Sequence, residues 1–170
     1  MYCGHGDSDT DLLGPRREAT PLSQHWIKVK KLRPDAHMPE LGTPGAAGAD
    51  LYACIDADGA GIHPGSVMKI GTGIAVEIPP GYFGAIFARS GLSTKKGLRP
   101  TNCVGVIDSD YRGEIIVALR NDTRYAQVIS KGERIAQLVI LPCVSPIFVE
   151  AEELSDTERG EGGFGSTGVK

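Results

Sequence analysis

Glycine and proline interrupt this sequence so often that no long helix can form. There are 23 glycines and 11 prolines among 170 residues, and both disfavour helix interiors. No window keeps the helical period of about 3.6 residues beyond two turns. Between the interruptions lie short runs rich in β-branched and aromatic residues. The sequence therefore predicts an all-β protein, a jelly-roll-like barrel or sandwich with at most one short helix.

The predicted strands follow one another at nearly regular spacing. In WIKVKKL, Ile27 and Val29 share one face, which is typical of a half-buried strand. The apolar pattern predicts the remaining strands at residues 50–54, 74–78, 82–88, 124–130 and 134–141, with a loop at 33–48. Two further runs, 104–107 and 115–117, flank a polar turn and predict a β-hairpin. The helix candidate is one turn at residues 92–96, after Ser90-Gly91.

Length and composition predict one domain with two appended segments. Residues 1–24 have low hydrophobicity and no sustained period, which predicts a flexible extension. Residues 25–150 form the predicted β core, and residues 151–170 are an acidic linker followed by a glycine-rich arm. A chain of 170 residues is long enough to bury its own core.

Charge and cysteine usage exclude several classes of function. The formal net charge of −3 gives no basic face for nucleic acid. The four cysteines are scattered without a C-x-x-C pair, which indicates reduced thiols. The longest apolar stretch, residues 138–149, is broken by Pro142 and Pro146 and is too short to span a membrane. We predict a soluble, cytoplasmic protein.

The polar turn GVIDSDYRGE contains more ionisable side chains than a turn needs. Asp108, Asp110, Tyr111 and Arg112 lie within five residues, whereas a structural turn requires one Asp or Asn and a glycine. A ligand site and a solvated acidic turn are both compatible with this stretch alone.

A second candidate site is ARSGLS. It places Arg89, Ser90 and Gly91 where a strand ends and a helical turn begins, so free amides and a guanidinium could bind an anion. A plain N-cap is the alternative. No Walker A loop or nucleophile elbow is present, and no histidine lies in these motifs, so Ser90 is not expected to be a nucleophile.

Two further polar residues stand in apolar or small surroundings. Asp50 follows GAAGA, where small neighbours allow close approach of a ligand. One carboxylate cannot build a metal site alone, but it can support a hydrated Mg²⁺ held by substrate phosphates; capping of local amides is the alternative. Gln137 interrupts an apolar run and must bond either backbone or ligand.

The final candidate is RGEGGFGSTG, in which Phe164 is the one aromatic residue among five glycines. Arg159 precedes it, and Ser166 and Thr167 follow. This composition suits a lid, with amides and arginine for phosphates and a ring to stack on a base. A disordered tail is the alternative.

Five stretches in order, AGADLYA, RSGLS, GVIDSDYRGE, GERIAQLVI and RGEGGFGSTG, resemble the homotrimeric dUTPases. The resemblance covers nearly everything from Trp26 onward. It implies a jelly-roll fold, a trimer with three sites at subunit interfaces, and Mg²⁺-assisted hydrolysis of dUTP to dUMP and pyrophosphate. Such an enzyme lowers dUTP and supplies dUMP for dTMP synthesis.

The resemblance also implies a role for each matching residue. Asp108 would be the general base for the attacking water, Tyr111 would lie under the deoxyribose, and Asp50 would reach Mg²⁺ through water. The remaining residues implied to bind substrate are Arg89, Ser90, Gly91 and Gln137 at the phosphates, Asn102, Gly105, Val106, Ile107 and Ile116 around the nucleoside, and Arg159, Phe164, Gly165, Ser166 and Thr167 from a neighbouring subunit's arm.

The sequence departs little from the family pattern. Ala49 stands where many relatives carry a larger residue, and residues 1–24 have no counterpart in the family core. A dCTP deaminase is disfavoured because Ala118 stands at about the position of that enzyme's catalytic glutamate and cannot carry a proton. The intact set of motifs argues against a binding module that has lost the chemistry, and equally against an unrelated β-barrel interaction protein.

Overall fold

The computed structural model describes residues 26–163, which form twelve strands and one helix. The elements are β1 (Lys28–Lys31), β2 (Glu40–Leu41), β3 (Ala49–Tyr52), β4 (Gly59–Ile62), β5 (Val67–Gly71), β6 (Ile74–Glu77), β7 (Tyr82–Ala88), α1 (Ser90–Lys96), β8 (Leu98–Pro100), β9 (Gly105–Ile107), β10 (Ile116–Asn121), β11 (Gln127–Ser130) and β12 (Arg134–Pro142). The predicted all-β, jelly-roll-like fold with one short helix is confirmed.

Four sheets surround one apolar core. The largest has the strand order β2-β3-β12-β7-β9, the next has the order β5-β10-β8, and β1-β6 and β11-β4 form two-stranded sheets. All pairs are antiparallel. Alternate residues of β10, such as Val117 and Leu119, are buried, which is the period of a strand with one face on the core. Fully buried side chains from all parts of the barrel meet there, including Leu51, Ile70, Leu98 and Ile135.

The strands at β1, β3, β6, β7, β11 and β12 agree with their predicted positions. The short strands β4, β5 and β8 were not predicted, because Gly59–Ile62 is glycine-rich and Leu98–Pro100 has only three residues. The two-residue strand β2 lies inside the predicted loop. The helix begins at Ser90, two residues before the predicted start, and ends at Lys96. The next residue, Gly97, has a φ of 60°, which is the left-handed conformation of a helix C-cap.

The predicted hairpin between residues 104–107 and 115–117 is wrong. β9 pairs with β7, whereas β10 lies between β5 and β8, so the two strands belong to different sheets. Both edges of β10 are already occupied, and no edge is left for β9. The polar segment between them is therefore a loop that crosses from one sheet to another.

One glycine determines how closely β9 approaches the sheet. A Cβ at Gly84 would lie 2.9 Å from both Ile78 Cδ1 and Leu138 Cδ1, and 3.2 Å from Ile107 Cβ. Real Cβ atoms almost never approach so closely, so a larger residue here would force the Ile78 and Leu138 side chains to shift.

The chain changes character after β12. Between residues 143 and 163 it forms neither strand nor helix, and Val144, Ile147 and Phe148 are about nine-tenths exposed. Within the described range, no helix is long and apolar enough to cross a bilayer. The domain boundaries predicted from composition stay predictions, and the predicted extension at residues 1–24 lies outside the described residues.

Candidate functional site

Asp50 is the centre of a polar cluster at one end of the five-stranded sheet. Its side chain is 5% exposed, yet its carboxylate accepts hydrogen bonds from Arg89 Nε at 2.9 Å and Arg134 Nη1 at 3.1 Å. Gln137 Nε2 lies 3.4 Å from the same carboxylate. A buried carboxylate is tolerated only when it is paired, and here two guanidinium groups neutralise it.

Strand register explains why these four residues meet. Asp50 on β3 stands opposite Gln137 on β12, which stands opposite Phe87 on β7. Arg89 follows directly after β7, and Arg134 is the first residue of β12. The sequence-predicted Asp50, Arg89 and Gln137 are therefore brought together. Arg134, which the sequence reasoning missed, completes the cluster; its signal was the one cation in GERIAQ, three residues before Gln137.

A cleft of about 410 Å³ opens beside this cluster. It lies between α1 and the turn that leads into β12, and its lining includes Tyr52, Arg89, Gly91, Leu92, Lys95, Lys96, Gly132, Glu133 and Arg134. Four of these side chains are cationic and one is acidic, so the cleft favours an anion. The amides of Ser90 and Gly91 precede the first hydrogen bond of the helix and are available to a phosphate.

The aromatic side chain of Tyr52 lines this cleft. Tyr52 stacks on His37 with ring centroids 5.0 Å apart, and its hydroxyl donates to Glu40 Oε2 at 3.3 Å. Burial, together with the nearby Glu40 carboxylate, raises the pKa of Tyr52 above its usual value. The tyrosine therefore stays neutral at physiological pH.

The loop at residues 108–114 has a different character. Asp108, Tyr111 and Arg112 are exposed, and their hydrogen bonds stay within the loop. Tyr111 N donates to Asp108 O at 3.1 Å, and its hydroxyl donates to Glu114 O at 3.0 Å. Arg112 Nη1 donates to Ser109 O at 2.6 Å. The loop is thus shaped by its own backbone, and the Asp108 carboxylate faces solvent.

Glu114 anchors the end of this loop to the core. Its Oε1 accepts a hydrogen bond from Gly73 N at 2.7 Å, and the following residue, Ile115, is fully buried. Ile115 N donates to Ile74 O at 2.9 Å. These contacts fix the base of the loop while its tip remains accessible.

The structure does not bring Asp108 and Arg89 together within one chain. β9 runs antiparallel to β7, and Ile107 stands opposite Gly84. Arg89 comes five residues after Gly84, just past the end of β7, and five residues of strand span about 16 Å. The candidate base and the phosphate cleft therefore lie towards opposite ends of the same strand.

The residues expected around the nucleoside lie near the loop. Gly105 begins β9 opposite Ile86, and a Cβ there would lie 3.0 Å from the Ile86 Cβ and 3.6 Å from Asn102 Nδ2. Val106 and Ile116 are 61% and 51% exposed, although both lie in strands. The surface at Val106 and Ile116 is therefore apolar and accessible. Since β9 is an edge strand, its outer backbone amide groups are free to bind a ligand.

The structure describes the predicted glycine-rich arm only up to residue 163. Arg159 Nε donates to Gly162 O at 2.9 Å, within its own segment. Phe164, Gly165, Ser166 and Thr167 lie outside the described residues, so their predicted lid role stays a prediction.

A divalent cation fits this site only with help from a ligand. Among residues 26–163, no three His, Cys, Asp or Glu side chains are grouped as a metal site. Asp50 is a single carboxylate that already accepts hydrogen bonds from two arginines. The donor set therefore fits a hydrated Mg²⁺ that substrate phosphates hold and Asp50 contacts through water.

Comparison with known proteins agrees with this picture. The dUTPase family model matches residues 34–168. The deoxyuridine 5'-triphosphate nucleotidohydrolase of Hydrogenobaculum sp. is 53% identical over 144 residues, which is 85% of this chain and 99% of the relative. That of Desulfitobacterium hafniense is 51% identical over 146 residues, covering 84% and 96% of the two chains.

A solved structure of a mutant Staphylococcus bacteriophage 80alpha dUTPase with dUpNHpp superimposes with a TM-score of 0.78 at 34% identity, over 86% of this chain and all of the other. A mutant dUTPase from phage phi11 of S. aureus, which coordinates a structural Mg(II) ion, gives 0.68 at 28% identity, over 76% of this chain and 98% of the other.

Fold, cationic cleft and relatives define a class of all-β proteins that act on nucleoside triphosphates. Within that class, this chain belongs to the dUTPase family.

Proposed function

We infer that this chain is an enzyme that hydrolyses dUTP to dUMP and pyrophosphate. Relatives that carry this activity in their names are more than half identical to it over nearly their whole length. The structural observation that carries the proposal is the cationic cleft; at the other end of the same sheet, the exposed carboxylate of Asp108 begins a well-anchored loop. The cleft suits a triphosphate, and the carboxylate suits a general base.

Asp108 acts as the general base. Its carboxylate accepts a proton from a water molecule as the water oxygen attacks the α-phosphorus, and the bond from that phosphorus to the bridging oxygen breaks. Pyrophosphate leaves with the bonding electrons, so no covalent intermediate with the protein is needed. The exposure of Asp108 supports this role, because the carboxylate is accessible to water.

Arg89, Ser90, Gly91 and Gln137 bind the phosphates. Arg89 and Gln137 already meet at Asp50, so the cleft is organised before substrate arrives. Asp50 is the residue that would hold a hydrated Mg²⁺ brought in with the triphosphate, and such an ion would neutralise part of the negative charge of the phosphates.

The nucleoside lies against β9 and the loop. The main chain at Val106 and Ile107, with Asn102, reads the polar edge of uracil, and Gly105 and Ile116 complete the surface. Tyr111 lies under the deoxyribose and leaves no room for a 2′-hydroxyl. A site that satisfies specific polar edges discriminates against dTTP, dCTP and UTP better than an apolar slot does.

We propose that the active unit is a homotrimer with sites at subunit interfaces. Asp108 and Arg89 lie towards opposite ends of β7 within one chain, which supports a site that a second subunit completes. The exposed apolar segment around Val144, Ile147 and Phe148 supports contact with a neighbour. In the proposed trimer, the cleft of one subunit faces the loop of another, and a third supplies the arm with Arg159, Phe164, Gly165, Ser166 and Thr167.

A cytoplasmic location remains a prediction. It is supported by the thiols at positions 54, 103 and 143, which are all free in the described part of the chain.

Pyrophosphate release from dUTP, dTTP, dCTP and UTP with Mg²⁺ tests the proposal. We expect fast release from dUTP alone, and loss of about 10³-fold in kcat for Asp108→Asn, since a general base contributes about 10²- to 10⁴-fold. Asp110→Asn, two residues away and equally exposed, is the matched control and should keep its activity. Full activity of Asp108→Asn would refute the assignment of the base, and absence of release by the native protein would refute the activity itself.

A further inference from the structure

The helix that carries Ser90 and Gly91 is tied to the opposite wall of the cleft by one ion pair. Lys96, the last residue of α1, donates from Nζ to Glu133 Oε1 at 2.6 Å and to Val128 O at 2.9 Å. The two side chains are only 35% and 23% exposed, so water screens the pair less than a surface pair.

Glu133 is itself held rigidly. Its Oε2 accepts a hydrogen bond from Ser130 N at 2.9 Å, and its own amide donates to Ser130 O at 3.0 Å. Ala53 N donates to Glu133 O at 2.8 Å, which joins the turn to the end of β3. The carboxylate is therefore a fixed point on the sheet.

The helix is held at its start by the Arg89–Asp50 pair and at its end by the Lys96–Glu133 pair. α1 has seven residues, and Leu92 is its one buried side chain. Arg89, Gly91 and Lys95 line one side of the cleft, while Gly132 and Arg134 line the other. Lys96 and Glu133 belong to these two walls and join them.

We propose that Lys96 and Glu133 are positioning residues that set the width of the phosphate cleft and thereby the affinity for the triphosphate. The inference rests on the proposed function of that cleft. Neither residue contacts the water or the α-phosphorus in the proposed mechanism, so the pair acts on phosphate binding and leaves the hydrolytic step to Asp108. A small displacement of a binding wall is enough to weaken binding substantially.

The primary test is Lys96→Met, which keeps the length and apolar stem of the side chain and removes the charge. We expect the KM for dUTP to rise about tenfold, with kcat within about twofold of the native value. The inhibition constant of inorganic pyrophosphate should rise by a similar factor. The inhibition constant of dUMP should change less, because dUMP carries a single phosphate.

The matched control is Lys28→Met, which removes the Lys28–Glu77 pair. That pair also joins two elements, at 3.0 Å between β1 and β6, but its side chains are 79% and 47% exposed and do not line the cleft. This variant should leave both KM and pyrophosphate inhibition unchanged.

Two further variants separate positioning from general damage. Glu133→Gln keeps the shape and an acceptor for Ser130 N and should also raise KM, while the double variant Lys96→Met/Glu133→Gln should cost no more than the stronger single change. Lys96→Arg retains the charge and should restore most of the affinity.

An unchanged KM in a folded Lys96→Met or Glu133→Gln variant would overturn the inference. So would equal weakening of pyrophosphate and dUMP, or a fall in kcat at constant KM. The proposed function itself is tested separately: if the native protein does not release pyrophosphate from dUTP, that function is wrong.

Discussion

The two ends of the five-stranded sheet differ in how their carboxylates are satisfied. Asp50 is buried and bonded to side chains from β12 and from the residue after β7. Asp108 is exposed, and the loop that carries it makes its hydrogen bonds within itself up to the anchor at Glu114. The Asp50 cluster is thus satisfied inside one chain, whereas the tip of the loop is open to solvent.

This contrast separates two kinds of substitution. A change at the Asp50 end should disturb both folding and binding, because the same contacts serve both. A change at the loop tip should alter catalysis or selectivity while the fold remains intact. Four experiments, in decreasing order of expected effect, test that division.

Deleting residues 159–170 should reduce kcat by about 100-fold, because both the cleft and the loop lie open and need a cover that excludes water. The melting temperature should not change, since Arg159 bonds only within its own segment in the described structure. Steady-state kinetics and calorimetry measure the two quantities. Deletion of residues 169–170 alone is the control, and full activity of the longer deletion would contradict the lid.

Asp50→Asn should lower the free energy of unfolding by about 2 kcal/mol, because it leaves two guanidinium groups without their buried counter-charge. The value is below that of a fully buried pair, since the Arg89 and Arg134 side chains are 27% and 48% exposed. Urea denaturation measures it. Asp110→Asn, in the exposed loop, should leave stability unchanged; an equal loss in both variants would remove the contrast between the two ends.

Tyr111→Ala should reduce the preference for dUTP over UTP by about tenfold in kcat/KM, because the ring that we propose excludes the 2′-hydroxyl is lost. Its stability should stay within about 0.5 kcal/mol of native, because the side chain is exposed. Tyr111→Phe removes only the hydrogen bond to Glu114 O and should keep the preference. Competition assays with both nucleotides decide the matter, and unchanged selectivity in the alanine variant would exclude the sugar contact.

Asp35→Asn should have the smallest effect, confined to stability and dependent on pH. Hydrogen bonds from Lys131 and then Arg33 hold the pKa of the Asp35 carboxyl well below its usual range. Because the pKa of Asp35 is lower in the folded protein than in the unfolded chain, ionised Asp35 stabilises the fold at any pH above its unfolded pKa of about 3.9. That stabilisation is lost as the pH falls towards the pKa of the folded state. The melting temperature of the variant should therefore lie below native at pH 7, and the gap should narrow at pH 3. If the difference in melting temperature between the variant and the native protein is the same at pH 7 and pH 3, the charge of Asp35 is not its cause.

Local patterns in the sequence sufficed for most of the strands, the helix and the family. β7 was predicted over its full length because YFGAIFA lies between Pro79-Pro80-Gly81 and the polar Arg89-Ser90. The failed hairpin shows the limit of such reasoning. Sequence proximity suggested that residues 104–107 pair with 115–117. Which strands pair, however, is determined by the packing of the whole barrel, and here β9 pairs with β7 while β10 pairs with β5 and β8.

Side-chain partners were the least predictable part of the site. Arg134 meets Asp50 across 84 residues of sequence, and Lys96 meets Glu133 across 37. Such contacts depend on how distant strands align in the folded protein, and local patterns in the sequence do not reveal that alignment. Asp50, Arg89 and Gln137 could each be selected as polar residues in unusual surroundings, yet nothing in their spacing indicated that they touch.

The pairing of Arg89 with Asp50 has a consequence for how the protein responds to ionic strength. Four cationic side chains line the cleft, but Glu133 and the underlying Asp50 offset two of them. An arriving phosphate therefore takes over a guanidinium that already had a counter-charge, and few new charge pairs form overall. Because salt weakens association in proportion to the net charge that is newly paired, substrate binding should depend less steeply on ionic strength than the number of basic residues suggests.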